Sequence, residues 1–145
     1  MLLQLMESPR KTRTVLVADE NEKDVLILRR AFQKAGLLHA LIHVRDGQEL
    51  RNYLAGVAAE ERPLPDLLLV DLKMPLVDGF DVLEWLRNRQ QPVSVPVVVF
   101  SSSELPKDRE MAKKLGAHDY LVKPDNFDAW IPLAKGLHEK WLCSD

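Results

Sequence analysis

At 145 residues, with a charged fraction of 29% and a formal net charge of −2, the chain has the size of one ordinary domain, able to bury a real core but too short for two. The near-neutral balance argues against a basic nucleic-acid footprint and against an acidic disordered composition, so partners must be recognised locally. The single cysteine, Cys143, excludes an internal disulfide framework and fits a reducing, cytoplasmic setting.

Residues 1–12 read as an N-terminal extension. Its start, "MLLQLM", lacks a basic n-region and is shorter than a signal-peptide core. No apolar run approaches the roughly 20 residues that a bilayer span needs, so no membrane partner is expected. From residue 13 to 145 strand-like and helix-like segments alternate. "TVLVA" (14–18) is a buried strand. After "DENEKD" a helix follows with Leu28, Ala31, Phe32 and Ala35 on one face, stopped by Gly36. "LIHV" (41–44) is the second strand, and "DGQELRNYLAGV" a helix with Leu50, Tyr53, Leu54 and Val57 inward. A polar loop, "AAEERPLP", leads to the third strand, "DLLLVD". The next helix carries Phe80, Leu83 and Leu86. "VPVVVF" (95–100) is the fourth strand, "KDREMAKKLGA" a helix closed by Gly116, and "DYLV" (119–122) the fifth strand. A last helix runs to about Trp141; with Asp128 as its N-cap, Pro132 falls in the first turn, where proline is mostly tolerated.

Five apolar strands alternating with five helices predict an α/β fold, a doubly wound parallel sheet with helices on both faces. Right-handed crossovers favour the flavodoxin-like (βα)5 order 2-1-3-4-5, with ligands gathering at the carboxyl ends of the strands. That edge receives Asp19 and Glu20 from the first strand, Asp71 from the third, Ser101 from the fourth and Lys123 from the fifth. Three carboxylates so close repel one another and call for a divalent cation. Oxygen ligands select a hard ion, Mg²⁺ or else Mn²⁺, that leaves room for a phosphoryl oxygen. Lys123 adds positive charge where a transferred phosphoryl group carries negative charge, and Ser101 adds a hydroxyl donor.

The "DE" after the first strand, "DLKMPLVDG" around Asp71, "FSSS" after the fourth strand and "DYLVKP" at 119–124 together resemble the receiver domain of two-component response regulators, over about residues 14–141. Within that family, "DENEKDVLILRRAF", the long loop before the third strand and the tryptophan-bearing last helix resemble stand-alone receivers that serve bacterial phytochromes and related hybrid kinases. The resemblance implies a single receiver domain over 13–145 with no output domain. It makes Asp71 the phosphoacceptor for a sensor histidine kinase, Asp19 and Glu20 metal ligands together with Asp71 and the backbone carbonyl of Lys73, and Lys123 the phosphoryl contact, joined to Pro124 by a cis bond. Ser101 and Tyr120 become the switch residues, and the fourth helix, fifth strand and fifth helix the readout face. Two positions depart from the family pattern. Glu20 stands where Asp is usual, which lengthens the ligand by one methylene; Ser101 replaces the commoner Thr.

Each residue also has a plainer reading. Asp71 could merely cap a turn, Asp19 and Glu20 could cap the first helix, and Lys123 could be a surface charge. Tyr120 could be ordinary core. Trp130 and Trp141 lie on a helical stripe that is core or, extended to the surface, a homodimer contact. The four histidines show no ligand spacing. Against the phosphoacceptor reading stands a phosphorylation-independent pseudo-receiver, which Glu20 favours. An aspartate-nucleophile phosphatase would want a carboxylate where Lys73 stands, a dinucleotide fold would want G-x-G-x-x-G after the first strand, and direct DNA binding would want an appended helix-turn-helix.

Overall fold

Each apolar run named above becomes a strand of one parallel sheet. In the computed structural model, which describes residues 12–75, 77–88 and 94–143, the strands are β1 (Thr14–Ala18), β2 (Ala40–Val44), β3 (Leu67–Val70), β4 (Val97–Ser101) and β5 (Asp119–Val122). Their order is β2-β1-β3-β4-β5, all pairs parallel. The expected doubly wound topology is therefore present. The expected extension at residues 1–12 lies, apart from Thr12, outside the described residues.

Strand side chains alternate between two apolar layers, as a period of two requires. Val15, Val17, Leu67, Leu69, Val98 and Phe100 face one side and meet Val25, Leu28 and Phe32 of helix α1 (Glu22–Lys34) and Trp130, Ala134 and Leu137 of helix α5 (Phe127–Leu137). Leu16, Leu68, Val70, Val97 and Val99 face the other and meet helix α2 (Gly47–Ala58), helix α3 (Gly79–Arg87) and helix α4 (Pro106–Lys114). A sheet covered on both faces leaves its strand ends as the place for polar chemistry.

The last helix differs from the sequence expectation. Its N-cap is Asn126, whose side chain accepts from the Ala129 N–H, so Asp128 is already inside the first turn and Pro132 is the sixth helical residue. The helix tolerates it because burial of Trp130, Ala134 and Leu137 outweighs one lost backbone bond. A π-helical turn, His138–Leu142, completes the run. Trp130 is buried, with its ring edge-on to Phe100 at 5.3 Å and its indole N–H on the Pro124 carbonyl at 3.1 Å. It is a core residue and cannot be a dimer contact; Trp141 stays half-buried, edge-on to His118.

Candidate functional site

Four strand ends and one helix start converge at the carboxyl edge of the sheet. Asp71 follows β3 directly, and its N–H donates to the Ala18 carbonyl at 2.9 Å, which locks it beside Asp19 at the end of β1. Gly79 holds the returning chain against it: the Gly79 N–H bonds to the Leu72 carbonyl at 2.9 Å, and a Cβ there would fall on the Asp71 carbonyl oxygen. The glycine is required by close approach of two backbones, not by a left-handed turn.

Asp19 is 2% exposed and Asp71 8%. Between them lies the Lys123 ammonium, placed by β5; its backbone N–H bonds to the Ser101 carbonyl at 2.8 Å. Lys123 Nζ donates to Asp19 Oδ2 at 2.7 Å, to Asp24 Oδ2 at 2.8 Å and to Asp71 Oδ2 at 3.0 Å. An ammonium has three protons, so all three are used. Three carboxylates around one ammonium leave a local surplus of negative charge. Burial raises the Asp19 pKa to about 6, with Lys123 opposing and Asp71 adding. Burial alone would lower the Lys123 pKa, but its bonds to Asp19 and Asp24 and the charges of Asp71 and Asp19 outweigh it and carry the pKa above the ordinary lysine value.

Asp19 has further fixed partners. Its Oδ1 accepts the Asn21 N–H at 2.8 Å, and its backbone carbonyl is 2.6 Å from His43 Nε2. A carbonyl only accepts, so that imidazole nitrogen carries the proton. Helix α1 is capped by Asn21 and not by Asp19 or Glu20: the Asn21 side chain accepts from the Lys23 and Asp24 N–H groups.

Of the residues singled out from sequence, Asp19, Asp71, Ser101 and Lys123 meet at this edge. Ser101 is fully buried, its Oγ accepting the Ser103 N–H at 3.2 Å. Tyr120 points inward, with its hydroxyl donating to the Ser103 carbonyl at 2.8 Å and Arg109 over its ring. Glu20 is exposed, and so is the side chain of Lys73, whose N–H lies 3.5 Å from Asp71 Oδ1. The Lys123–Pro124 bond is trans, contrary to the expected cis form; no cis bond occurs among the described residues. Trans is the lower-energy isomer even before proline, and in this arrangement the Pro124 carbonyl meets the Trp130 indole.

Asp24 was not found from sequence. Acidic residues at the third position of a helix usually turn back to the N-cap N–H, as Asp81 does to Asp78 in α3. In α1 that N–H is already taken by Asp19, which frees Asp24 to reach Lys123.

The donor set suits a hard divalent cation: oxygen atoms, surplus negative charge and two buried carboxylates on adjacent strands. Among the described residues no group of three or more carboxylate, imidazole or thiol side chains is arranged to hold a metal ion; the Lys123 ammonium lies among the three carboxylates. Asp19 and Asp71, with Glu20 turned in from the surface, are the residues that would hold such an ion.

A family model of the response regulator receiver domain matches residues 15–132. The chain belongs to the response regulator receiver family. It is 27% identical over 131 residues to the response regulator Rcp1 of Synechocystis sp., covering 90% of this chain and 89% of that one; the Mn(2+)-bound structure of Rcp1 superposes with a TM-score of 0.79 at 26% identity, over 92% of this chain and 96% of that chain. The phosphorylated cyanobacterial phytochrome response regulator RcpA is similar at 30% identity and a TM-score of 0.80, covering 91% and 95% of the two chains. RPA3017, a response regulator in red light signaling of R. palustris, is similar at 33% identity and a TM-score of 0.82, covering 90% and 94%. This receiver thus resembles the phytochrome response regulators, and no helix among its described residues is long and apolar enough to cross a membrane.

Proposed function

We propose that this receiver accepts a phosphoryl group on Asp71 from the phosphohistidine of a sensor kinase, a bacterial phytochrome or a related hybrid kinase. The observation that carries the reading is the Asp71 carboxylate itself, held at a strand end beside buried Asp19 with the Lys123 ammonium on its Oδ2. A carboxylate oxygen of Asp71 attacks phosphorus in line as the phosphorus–nitrogen bond breaks, and the imidazole leaves with the electron pair. Lys123 turns a proton toward the phosphoryl oxygens, and Asp19 keeps the ammonium anchored while it does so. A bound Mg²⁺ would offset negative charge on the phosphoryl oxygens; Asp19, Glu20, Asp71 and the Lys73 carbonyl would hold it. That RcpA is known in a phosphorylated form and Rcp1 in a Mn(2+)-bound form supports both parts of the reading.

The acyl phosphate places new anionic oxygens beside Ser101 and Lys123. Ser101 turns its hydroxyl to them, the Ser101–Ser103 loop follows, and Tyr120 responds because its hydroxyl is tied to the Ser103 carbonyl. The surface formed by α4, β5 and α5 then presents a changed face to a partner protein. The chemistry is self-catalysed acceptance and slow hydrolysis of one phosphoryl group, not turnover of a substrate.

The test is intact mass after incubation with acetyl phosphate, with and without Mg²⁺. Wild type is expected to gain one phosphoryl group only with Mg²⁺, and Asp71→Asn none; labelling of the mutant would refute the assignment. A pseudo-receiver that never accepts phosphate is the second reading. It is favoured by the exposed position of Glu20 and by the Lys123 ammonium lying among the three carboxylates. Failure of wild type both to be labelled and to bind beryllofluoride would select it.

A further inference from the structure

We propose that Asp24 is a positioning residue that restrains Lys123 in the unphosphorylated state and yields it to the phosphoryl group on Asp71. The inference rests on Asp71 being the phosphoacceptor. Lys123 has three protons and three carboxylate partners, so contact with incoming phosphoryl oxygens requires that one existing bond be given up. Which one yields is decided by burial and anchoring. The Asp19 side chain is 3% exposed and is fixed through its other oxygen by the Asn21 N–H. Asp71 carries the reacting group. The Asp24 side chain is 21% exposed, so water replaces the ammonium there at the smallest desolvation cost.

Helix α1 places Asp24 for this role. Its backbone N–H is held by the Asn21 side chain at 3.2 Å, which sets the first turn, while its carboxylate is released from the usual capping contact because Asp19 serves the Asn21 N–H. Among the described residues the hydrogen-bond partner of that carboxylate is the ammonium, which it shares with Asp19 and Asp71. At rest Asp24 holds the ammonium at 2.8 Å against 3.0 Å for Asp71. Loss of this restraint speeds acquisition of the phosphoryl group. It leaves hydrolysis unaltered, since the Asp24 contact is already gone once Asp71 is phosphorylated.

The experiment follows intact mass with acetyl phosphate at saturating Mg²⁺ for wild type, Asp24→Asn and Asp24→Glu, at low and high ionic strength, and then follows phosphoryl loss after donor removal. Asp24→Asn is expected to acquire the group roughly fivefold faster, the scale of one weakened charge-assisted bond, with an unchanged rate of loss and with Asp24→Glu close to wild type. The gain should persist at high salt, where simple removal of a repelling surface charge would be screened. Acquisition equal to or slower than that of a labelled wild type, or a gain that vanishes with salt, overturns the role of Asp24 and leaves the phosphoacceptor standing. Failure of wild type both to be labelled and to bind beryllofluoride overturns the phosphoacceptor reading and this inference with it.

Discussion

The two ends of the parallel sheet treat their polar groups in opposite ways. At the amino end three side chains close on backbone N–H groups at the strand entries. Asp66 accepts the Thr14 N–H at 2.8 Å, His118 accepts the Val97 N–H through Nδ1 at 3.0 Å, and His39 accepts the Arg13 N–H through Nδ1 at 3.0 Å. That last bond fixes a tautomer: neutral His39 carries its proton on Nε2 and donates it to His138 Nδ1 at 2.9 Å. The amino end is thus a set of closed pairs that seal strand entries. At the carboxyl end three carboxylates share one ammonium. Saturated polar groups stabilise a fold, whereas a surplus of one charge marks a place built to receive the other.

Removal of the shared cation should break the contrast most strongly. Lys123→Met leaves the three carboxylates without their buried counter-charge and is expected to cost about 3 kcal/mol at pH 8 without divalent ions. Urea unfolding would measure it, and millimolar Mg²⁺ should restore much of the loss; an unchanged midpoint would mean that the carboxylates were never desolvated. Gly79→Ala comes next. Its Cβ collides with the Asp71 carbonyl oxygen and the Leu72 Cα, so about 2 kcal/mol of stability should be lost together with most of the phosphoryl acceptance. Full acceptance in that variant would show that the backbone behind Asp71 has slack.

Acidification separates the two ends by sign. Burial, with His138 and Arg13, lowers the His39 pKa from 6.5, against a smaller opposing pull from Asp66. The unfolded chain then takes up this proton first, and stability from the amino end is lost as pH falls below about 6.5. Asp19 runs the other way. Folded it binds its proton at about 6 and unfolded at 3.8, so the carboxyl end gains stability as pH falls from 6 toward 4. His39→Gln should therefore make acidification from pH 6.5 to 4 less destabilising than in wild type, read from urea midpoints, without changing phosphoryl acceptance. Identical pH profiles for the two proteins would remove His39 from the account. The smallest effect is expected at the exposed Glu20: Glu20→Asp should tighten Mg²⁺ binding by about threefold through better ligand reach, followed by tryptophan quenching, and no change would mean that glutamate already reaches the ion.

The sequence by itself determined the sheet and most of its edge. Runs such as Leu67–Val70, alternating with helices, point to a parallel sheet covered on both faces, and a polar residue that follows such a run emerges at the strand's carboxyl end. Asp19, Asp71, Ser101 and Lys123 were legible for that reason. The tertiary structure decided which partner each polar atom takes. Asp24 joined the site because Asp19 reached the Asn21 N–H first, Asn126 capped the last helix in place of Asp128, Trp130 went into the core, and the His39 tautomer followed from the Arg13 N–H. Competition among neighbouring donors and acceptors is settled by distances of a few tenths of an ångström, and residue spacing along the chain does not contain them.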